Sequence, residues 1–184
     1  QASIAMLGAT ALGIAACGGG GGGSGDGSFG NEQPLSASQG ASTLGRTSVL
    51  GAALNAPWGL AFLPDGRMLV TEKDGTMALV AADGNSLVRL GGVPGVDATG
   101  QGGLLDVAYQ NGWVYFTYSE AGAGGTGTAL ARGQLNGAGT ALQNVSVLWR
   151  QAPKVVSSIH YGSRIAFRGD GTLYLAVGER GVEG

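Results

Sequence analysis

Short runs of aliphatic, aromatic and β-branched residues, interrupted by tight polar turns, repeat along most of the chain. Residues 61–70 read AFLPDGRMLV, and residues 166–175 read AFRGDGTLYL. Residues 108–117 read AYQNGWVYFT and form a looser third copy. Asp-Gly or Asn-Gly between two such runs is a strong hairpin signal, because both central residues of a type I′ turn need a positive φ. The pattern therefore predicts three β-hairpins.

The spacing of these hairpins predicts a β-propeller. Their turn glycines, Gly66, Gly112 and Gly171, lie 46 and 59 residues apart, and paired strands at such a period are typical of propeller blades. No helical periodicity competes outside the N-terminal segment. Further strands are predicted at residues 77–81, 87–90, 128–135 and 145–149. The expected fold is all-β: two four-stranded antiparallel blades and the first half of a third, about two and a half blades.

The order of strands in such a blade separates two ends. The first-to-second hairpins lie at one end, which the three turn glycines mark. The second-to-third loops and the blade-to-blade connections lie at the other end. That end is expected to collect residues 72–74, 91–103, 119–127, 151–163 and 178–184. Because loops on a rigid scaffold commonly carry binding and catalytic residues, it is the predicted functional face.

Composition narrows the possible functions. The 184 residues carry a net charge of −2, and the 10 Lys and Arg are scattered and outnumbered by 12 Asp and Glu. A nucleic-acid partner is therefore not expected. Charged residues make up only 12%, and there are 38 glycines, which suits an all-β protein with many turns better than a helical bundle.

The N-terminal residues resemble a lipoprotein signal. Residues 2–16 are small or apolar, too few for a transmembrane helix, and residues 12–17 read LGIAAC. This resembles a bacterial lipobox, in which the cysteine is lipidated. Residues 1–17 are therefore expected to be a partial lipoprotein signal peptide, with Cys17 anchoring the protein in the periplasm or cell envelope, at the outer membrane. The alternative is a buried cysteine at this position by chance; a single Cys forms no intrachain disulfide.

A Gly- and Ser-rich segment follows at residues 18–45. Such a composition cannot bury enough apolar surface to offset its ordering entropy, so a flexible linker is expected. Its 28 residues would span about 30 Å as a random coil. The predicted membrane contact is through the lipid anchor only, and residues 46–184 form the predicted propeller domain.

Four polar residues of the functional face and one on the adjacent strand stand out. His160 is the only histidine, and its side chain has the unperturbed pKa closest to neutral, as a general base needs. Gln101, Glu72 and Arg180 fall on the same face. Arg164, on the strand after His160, is expected to form a structural pair.

Each candidate also has a structural interpretation. His160 is either a base or a histidine satisfied between blades, and Gln101 is either a ligand contact or a strand cap. Glu72 and Glu179 are either functional carboxylates or solvated side chains at the channel rim. Lys73 is either a phosphate or quinone partner or a solvated turn residue.

Four stretches together resemble a known enzyme family. Residues 57–66, 69–73, 100–108 and 160–181 are similar to the soluble, pyrroloquinoline-quinone (PQQ)-dependent sugar dehydrogenases, in the aldose sugar dehydrogenase branch of the glucose/sorbosone dehydrogenase family. The resemblance implies a six-bladed propeller with PQQ at the channel mouth, supported by calcium. It also implies oxidation of aldoses to lactones, with electrons passing to a quinone, cytochrome or dye.

The resemblance implies roles for individual residues. His160 matches the catalytic base, which takes the anomeric hydroxyl proton while hydride passes to the quinone. Gln101 and Arg180 match substrate-binding positions. Ile159 replaces an aspartate of the glucose enzyme, which favours broader aldose specificity. Calcium and most PQQ ligands are expected beyond Gly184, so no metal or cofactor residue is assigned.

Two other functions are consistent with such a propeller. One is a metal-dependent sugar lactonase, for which Glu72 is a possible ligand. The other is a binding propeller without catalysis. The chain itself is expected to be a truncated form that is inactive alone.

Overall fold

The computed structural model describes residues 54–181, and before them two strands, β1 (Ala5–Met6) and β2 (Thr47–Ser48), which form a two-stranded sheet. Residues 5–47 cluster as one unit, and residues 48–184 with residues 1–4 as another. Cys17 and the predicted linker at residues 18–45 lie outside the described residues, so lipidation and the tether stay predictions. In the described part of the chain, no helix has the length and hydropathy needed to cross a bilayer.

Residues 54–181 form two four-stranded antiparallel meanders and one hairpin, each in chain order. The first meander contains β3 (Pro57–Phe62), β4 (Met68–Glu72), β5 (Met77–Val80) and β6 (Leu87–Leu90). The second contains β7 (Leu104–Gln110), β8 (Trp113–Gly122), β9 (Gly125–Leu135) and β10 (Leu142–Arg150). The hairpin is β11 (Gly162–Phe167) and β12 (Leu173–Val177). These are two blades and the first half of a third, so the predicted fold class is confirmed.

The long loop predicted at residues 119–127 is wrong. Strands β8 and β9 continue through most of it, with Ser119 opposite Thr128 and Gly122 opposite Gly125. Gly124 and Gly125 have φ values of 87° and 128°, a conformation that glycine adopts without steric cost. The two strands therefore reverse directly, and the hairpin extends where the glycine-rich composition indicated a loop.

The three hairpin turns were placed correctly, but only the middle one has the predicted geometry. Asn111 and Gly112 both have positive φ, 50° and 81°. In the other two turns only the glycine is left-handed. There, Asp65 and Asp170 accept hydrogen bonds from the backbone N–H groups two residues later, at 3.1 and 2.9 Å. The aspartate side chain thus stabilises the turn that a second positive φ was expected to form.

A β-bulge interrupts the first strand of each blade. In each case the register shift sets two residues of the first strand against one of the second: 58–59 against Thr71, 105–106 against Thr117, and 163–164 against Ala176. A bulge disrupts the ladder locally, so its backbone groups need other partners.

In the first blade, Thr71 supplies that partner and also joins the blade to the next one. Its Oγ1 accepts the Gly59 N–H at 2.8 Å and donates to the Leu105 carbonyl at 2.5 Å, in the bulge of the second blade. A side chain would not fit at Gly59, where a Cβ would lie 2.9 Å from the Leu105 oxygen. The two blades are therefore in close backbone contact at this point.

The second blade repeats the arrangement. Thr117 Oγ1 accepts the Asp106 N–H at 3.0 Å and donates to the Ser163 carbonyl at 3.2 Å, in the third blade. The buried Asp106 carboxylate also accepts the Ile165 N–H at 2.6 Å. Side chains of the second blade thus satisfy backbone groups of the third blade's bulge.

Apolar packing complements these bonds. One buried cluster spans the facing sides of the first two blades, and it includes Leu69, Met77, Leu79, Leu104, Val114, Phe116 and Tyr118. A smaller cluster lies on the other side of the first blade. The strands of the first two blades are therefore anchored in a shared core.

Replacing Thr117 with Val is expected to lower the free energy of unfolding by about 1–3 kcal/mol, the cost of leaving buried polar groups unpaired. Valine keeps the shape of the side chain but leaves the Asp106 N–H and the Ser163 carbonyl without the hydroxyl. Urea unfolding of the complete protein measures the loss. The control is Thr172→Val in an exposed turn, expected to change stability by less than about 0.5 kcal/mol. Equal losses in both variants would contradict the proposed link.

Candidate active site

His160 lies on the connection that enters β11, in a conformation unusual for its residue type. Its φ is 53°, in the left-handed region that few non-glycine residues occupy. Its imidazole is half-exposed, and Nδ1 contacts the carboxylate of Glu179, on the loop after β12. The imidazole of His160 is therefore held by Glu179 and is also accessible to solvent.

The carboxylate of Glu179 determines the direction of this hydrogen bond. The pKa of Glu179 is lowered from its ordinary value of 4.5, first by the hydrogen bond with His160 and then by backbone N–H groups, including that of Gly181 at 3.0 Å. An ionised carboxylate can only accept hydrogen bonds. Nδ1 must then carry the proton, which leaves Nε2 of a neutral ring as the proton acceptor.

The side chain of Gln101 contacts the backbone of His160. The His160 N–H donates to Gln101 Oε1 at 2.8 Å, and the Gln101 N–H donates to the Ser158 carbonyl at 2.7 Å. The connection that enters the second blade is thereby joined to the connection that enters the third. The two residues predicted to share a site are in direct contact.

A cavity of about 390 Å³ opens beside these residues. This volume lies within the range of small-molecule sites. Trp58, 47% exposed, contributes an aromatic surface, and Lys73 contributes a cation whose Nζ donates to the Ala98 carbonyl at 2.7 Å. The lining consists of Trp58, Lys73, Gly100, Gln101, Leu105, His160, Tyr161 and Gly162.

Two glycines allow the loops to approach this closely. A Cβ on Gly178 would lie 1.9 Å from the His160 carbonyl oxygen, and a Cβ on Gly100 would lie 2.5 Å from the Ser158 carbonyl oxygen. No real Cβ tolerates such contacts. The position of His160 therefore requires the absence of a side chain at both sites.

The structure places Arg180 next to the cavity but turned away from it. Arg180 is 1% exposed, and its guanidinium donates to Thr126, Ser157 and Ile159. The geometry thus gives Arg180 a structural role between the second and third blades. A substrate contact at this position stays an untested prediction.

The remaining candidates also have structural partners. Glu72 is fully buried, accepts the Asn55 N–H and pairs with Arg89 at 3.3 Å, so a solvated rim position is wrong. Arg164 pairs with Asp106 at 3.5 Å, as expected. In the part of the chain that the structure describes, no three His, Cys, Asp or Glu side chains are grouped to hold a metal ion.

Sequence reasoning gave Glu179 no partner, although the repeat contains a signal for it. In each blade, one N–H of the second strand or of the residue just after it donates to the carbonyl of the residue directly before the first strand, at 2.9–3.1 Å for donor residues 73, 119 and 178. The next residue is acidic each time, Asp74, Glu120 and Glu179. The equivalent positions place Glu179 beside the start of β11, where His160 lies.

Comparison with family models and known proteins gives a consistent result. The model of glucose/sorbosone dehydrogenase matches residues 54–183. Aldose sugar dehydrogenase YliI of Escherichia coli (strain K12) is 40% identical over 138 residues, which cover 71% of this chain and 37% of that protein. The uncharacterized protein slr1608 of Synechocystis is 33% identical over 141 residues, covering 70% and 34%.

Solved structures agree. The apo-form of the soluble aldose sugar dehydrogenase from Escherichia coli has 39% sequence identity and a TM-score of 0.65, covering 72% of this chain and 40% of its own. The PQQ-bound aldose sugar dehydrogenase from Streptomyces coelicolor has 34% identity and a TM-score of 0.62, covering 72% and 41%. This chain therefore spans about 40% of the length of those chains.

Replacing Gly178 with Ala is expected to move His160 and to lower the free energy of unfolding by about 1–3 kcal/mol, as overpacking does. Urea unfolding and the imidazole NMR signal of His160 measure the two effects. That signal is assigned by its loss in a His160→Gln variant. Gly169→Ala is the control, because a Cβ there has no neighbour within 4 Å. An unmoved signal and unchanged stability in the Gly178 variant would refute the close packing.

Proposed function

The chain belongs to the glucose/sorbosone dehydrogenase family, and from this premise we propose that the complete protein oxidises aldose sugars to lactones with PQQ as cofactor. The observation that carries the proposal is His160, held between Gln101 and Glu179 at the wall of a 390 Å³ cavity. The proposal rests on the family together with this geometry, because this chain covers only part of its relatives' length.

His160 is the proposed general base. Its Nδ1–H donates to Glu179, so Nε2 is the atom that accepts the proton of the sugar's anomeric hydroxyl. Glu179 keeps the required tautomer and stabilises the imidazolium that forms, as a carboxylate behind a catalytic histidine does. Loss of this proton and of the C1 hydrogen with its electron pair converts the anomeric carbon into the carbonyl carbon of a lactone.

The described residues fit one side of a bound PQQ. PQQ, when bound, supplies the two-electron acceptor for the hydride that leaves the sugar. Trp58 offers an aromatic surface for a planar ring system, and Lys73 offers a cation for a carboxylate or a quinone oxygen.

Gln101 is the proposed sugar contact. Its Oε1 is used by the His160 N–H, so the side-chain amide is held at the cavity wall. Ile159, in place of an aspartate that the resemblance implies for glucose enzymes, supports a preference for aldoses in general. Electrons are proposed to pass from the reduced cofactor to a quinone, cytochrome or dye.

Replacing His160 with Gln in the complete protein is expected to lower kcat for aldose oxidation by about 10²–10⁴-fold, the usual contribution of a general base. Glu179→Gln is expected to lower it by about 10- to 100-fold, as loss of an orienting partner does. Dye-linked assays with several aldoses measure both. Absorbance of the added quinone checks that each variant still binds PQQ. Full turnover in His160→Gln, or lactone hydrolysis without quinone, would refute the mechanism.

The pH profile adds a second readout of this pair. Because the pKa of Glu179 is lowered in the folded protein, its contact with His160 is complete above pH 4.5 and is lost as the pH falls through the lowered value. Glu179→Gln removes this titration. The acid limb that Glu179 contributes below pH 4.5 should therefore be missing from the variant's profile.

We also propose that the protein is anchored in the bacterial envelope through Cys17, with residues 18–45 as the tether. The LGIAAC sequence at residues 12–17 and the Gly-rich composition that follows it support this proposal. A lipid on this cysteine would hold the propeller in the periplasm, where its sugar substrate is accessible.

Replacing Cys17 with Ser is expected to move the expressed protein from the membrane fraction to the soluble fraction of a bacterial host, because the lipid has no attachment site. Fractionation with immunoblotting measures this, and intact mass shows the lipid on the unmodified protein. A soluble unmodified protein, or an unchanged distribution of the Cys17→Ser variant, would contradict lipid anchoring.

A further inference from the structure

We propose that Arg180 is a positioning residue that holds His160 in its active conformation, and that it makes no contact with the sugar. The catalytic consequence of this role rests on the proposed function, whereas the structural consequence does not.

The guanidinium joins the third blade to the second blade and to the loop that carries His160. Nε donates to the Ile159 carbonyl at 2.8 Å, the residue directly before His160. Nη1 donates to the Thr126 carbonyl at 3.0 Å, and Nη2 donates to Thr126 Oγ1 at 2.9 Å and to the Ser157 carbonyl at 2.6 Å. One side chain therefore fixes three points around the base.

The residue after His160 is held by the same side chain. The guanidinium carbon of Arg180 lies 3.6 Å from the ring centroid of Tyr161, a cation–π contact. The Tyr161 hydroxyl lies 2.8 Å from Thr126 Oγ1, and the Tyr161 carbonyl accepts Thr128 Oγ1–H at 2.9 Å. Both neighbours of His160 along the chain are thus attached to Arg180.

The backbone conformation of His160 explains why these contacts are needed. His160 and Arg180 have φ values of 53° and 68°, and a non-glycine residue stays in this region only where surrounding contacts impose it. The Arg180 carbonyl also accepts a hydrogen bond from Ser157 Oγ. Arg180 and the adjacent Glu179 therefore hold the His160 backbone and its imidazole from one short segment.

A sugar contact is incompatible with this arrangement. Arg180 is 1% exposed, and its donors face carbonyl and hydroxyl oxygens of the protein. A sugar hydroxyl could reach the guanidinium only if the loop around His160 moved and those oxygens lost their partner. The geometry therefore favours positioning over substrate binding.

The test compares three variants of the complete protein. Arg180→Lys keeps the charge but loses the planar fork that serves several acceptors at once, and Arg180→Gln loses both. Thr126→Val keeps Arg180 and removes one of its acceptors. Arg168→Gln is the matched control, since this arginine of the same blade is 65% exposed and pairs only loosely with Asp170, at 3.5 Å. The readouts are kcat, KM and the His160 imidazole NMR signal in sugar-free protein.

We expect Arg180→Lys and Arg180→Gln to lower kcat by about 10- to 100-fold, the effect of a base misplaced by about 1 Å. KM should change by less than about threefold, since no substrate contact is lost. The His160 signal should shift in both variants and, to a smaller extent, in Thr126→Val. The Arg168→Gln control should match the unmodified protein in every readout.

A raised KM with unchanged kcat and an unmoved His160 signal would overturn the proposal and make Arg180 a substrate contact. If Arg180→Gln does not fold, Thr126→Val decides, and an unmoved signal with unchanged kcat in that variant overturns the proposal. Failure of the proposed function is separate: it would appear as full turnover in His160→Gln. The His160 signal still tests the positioning role in that case.

Discussion

The structure depends on how each blade satisfies the β-bulge at the start of its first strand. A bulge leaves backbone groups outside the ladder, and buried groups of this kind need partners. Thr71 and Thr117 each provide one hydroxyl that accepts from their own bulge and donates to the bulge of the next blade. The third blade carries Ala176 at that position, and Asp106 of the blade before it accepts the N–H of Ile165, the residue directly after the bulge. The same side chains therefore stabilise the bulges and join neighbouring blades.

The candidate site lies at the bulged end of the blades because of this arrangement. In each blade, residue 73, 119 or 178 is hydrogen-bonded through its N–H to the residue directly before the first strand, which sets the acidic residue that follows it beside the entry to the blade. In the second blade that residue is Glu120. Burial raises the pKa of Glu120, but hydrogen bonds from Lys154 and Arg150 outweigh burial and lower it. In the third blade the equivalent Glu179 faces His160. One backbone repeat thus yields a structural ion pair in one blade and the proposed base with its carboxylate in the next.

Much of the fold could be predicted from the sequence because its signals are local. Asn111 and Gly112 specify their turn within two residues, and so the hairpins and the blade period were placed correctly. The loop predicted at residues 119–127 was wrong because a glycine-rich sequence fits an open loop and a tight reversal of the chain equally well. Topology and the family resemblance placed Gln101 and His160 on the same face, and the structure adds their hydrogen bond. The burial of Arg180 did not follow from the sequence, because it depends on the Thr126 and Ser157 oxygens, which adjacent sequence does not reveal.

The charge of Glu179 explains why the proposed positioning of His160 by Arg180 matters for a general base. The pKa of Glu179 is lowered, so in the proposed mechanism its carboxylate is already ionised and stabilises the imidazolium without rearrangement. This stabilisation requires the imidazole of His160 and the carboxylate of Glu179 to stay within hydrogen-bond distance. In this proposal Arg180 keeps the two groups aligned without placing its charge at the cavity wall, because its guanidinium is buried among neutral oxygens and the Tyr161 ring. His160 is therefore held by the segment after β12 as well as by its own loop, and under the proposed mechanism a change in that segment acts on the proton acceptor before it acts on a bound sugar.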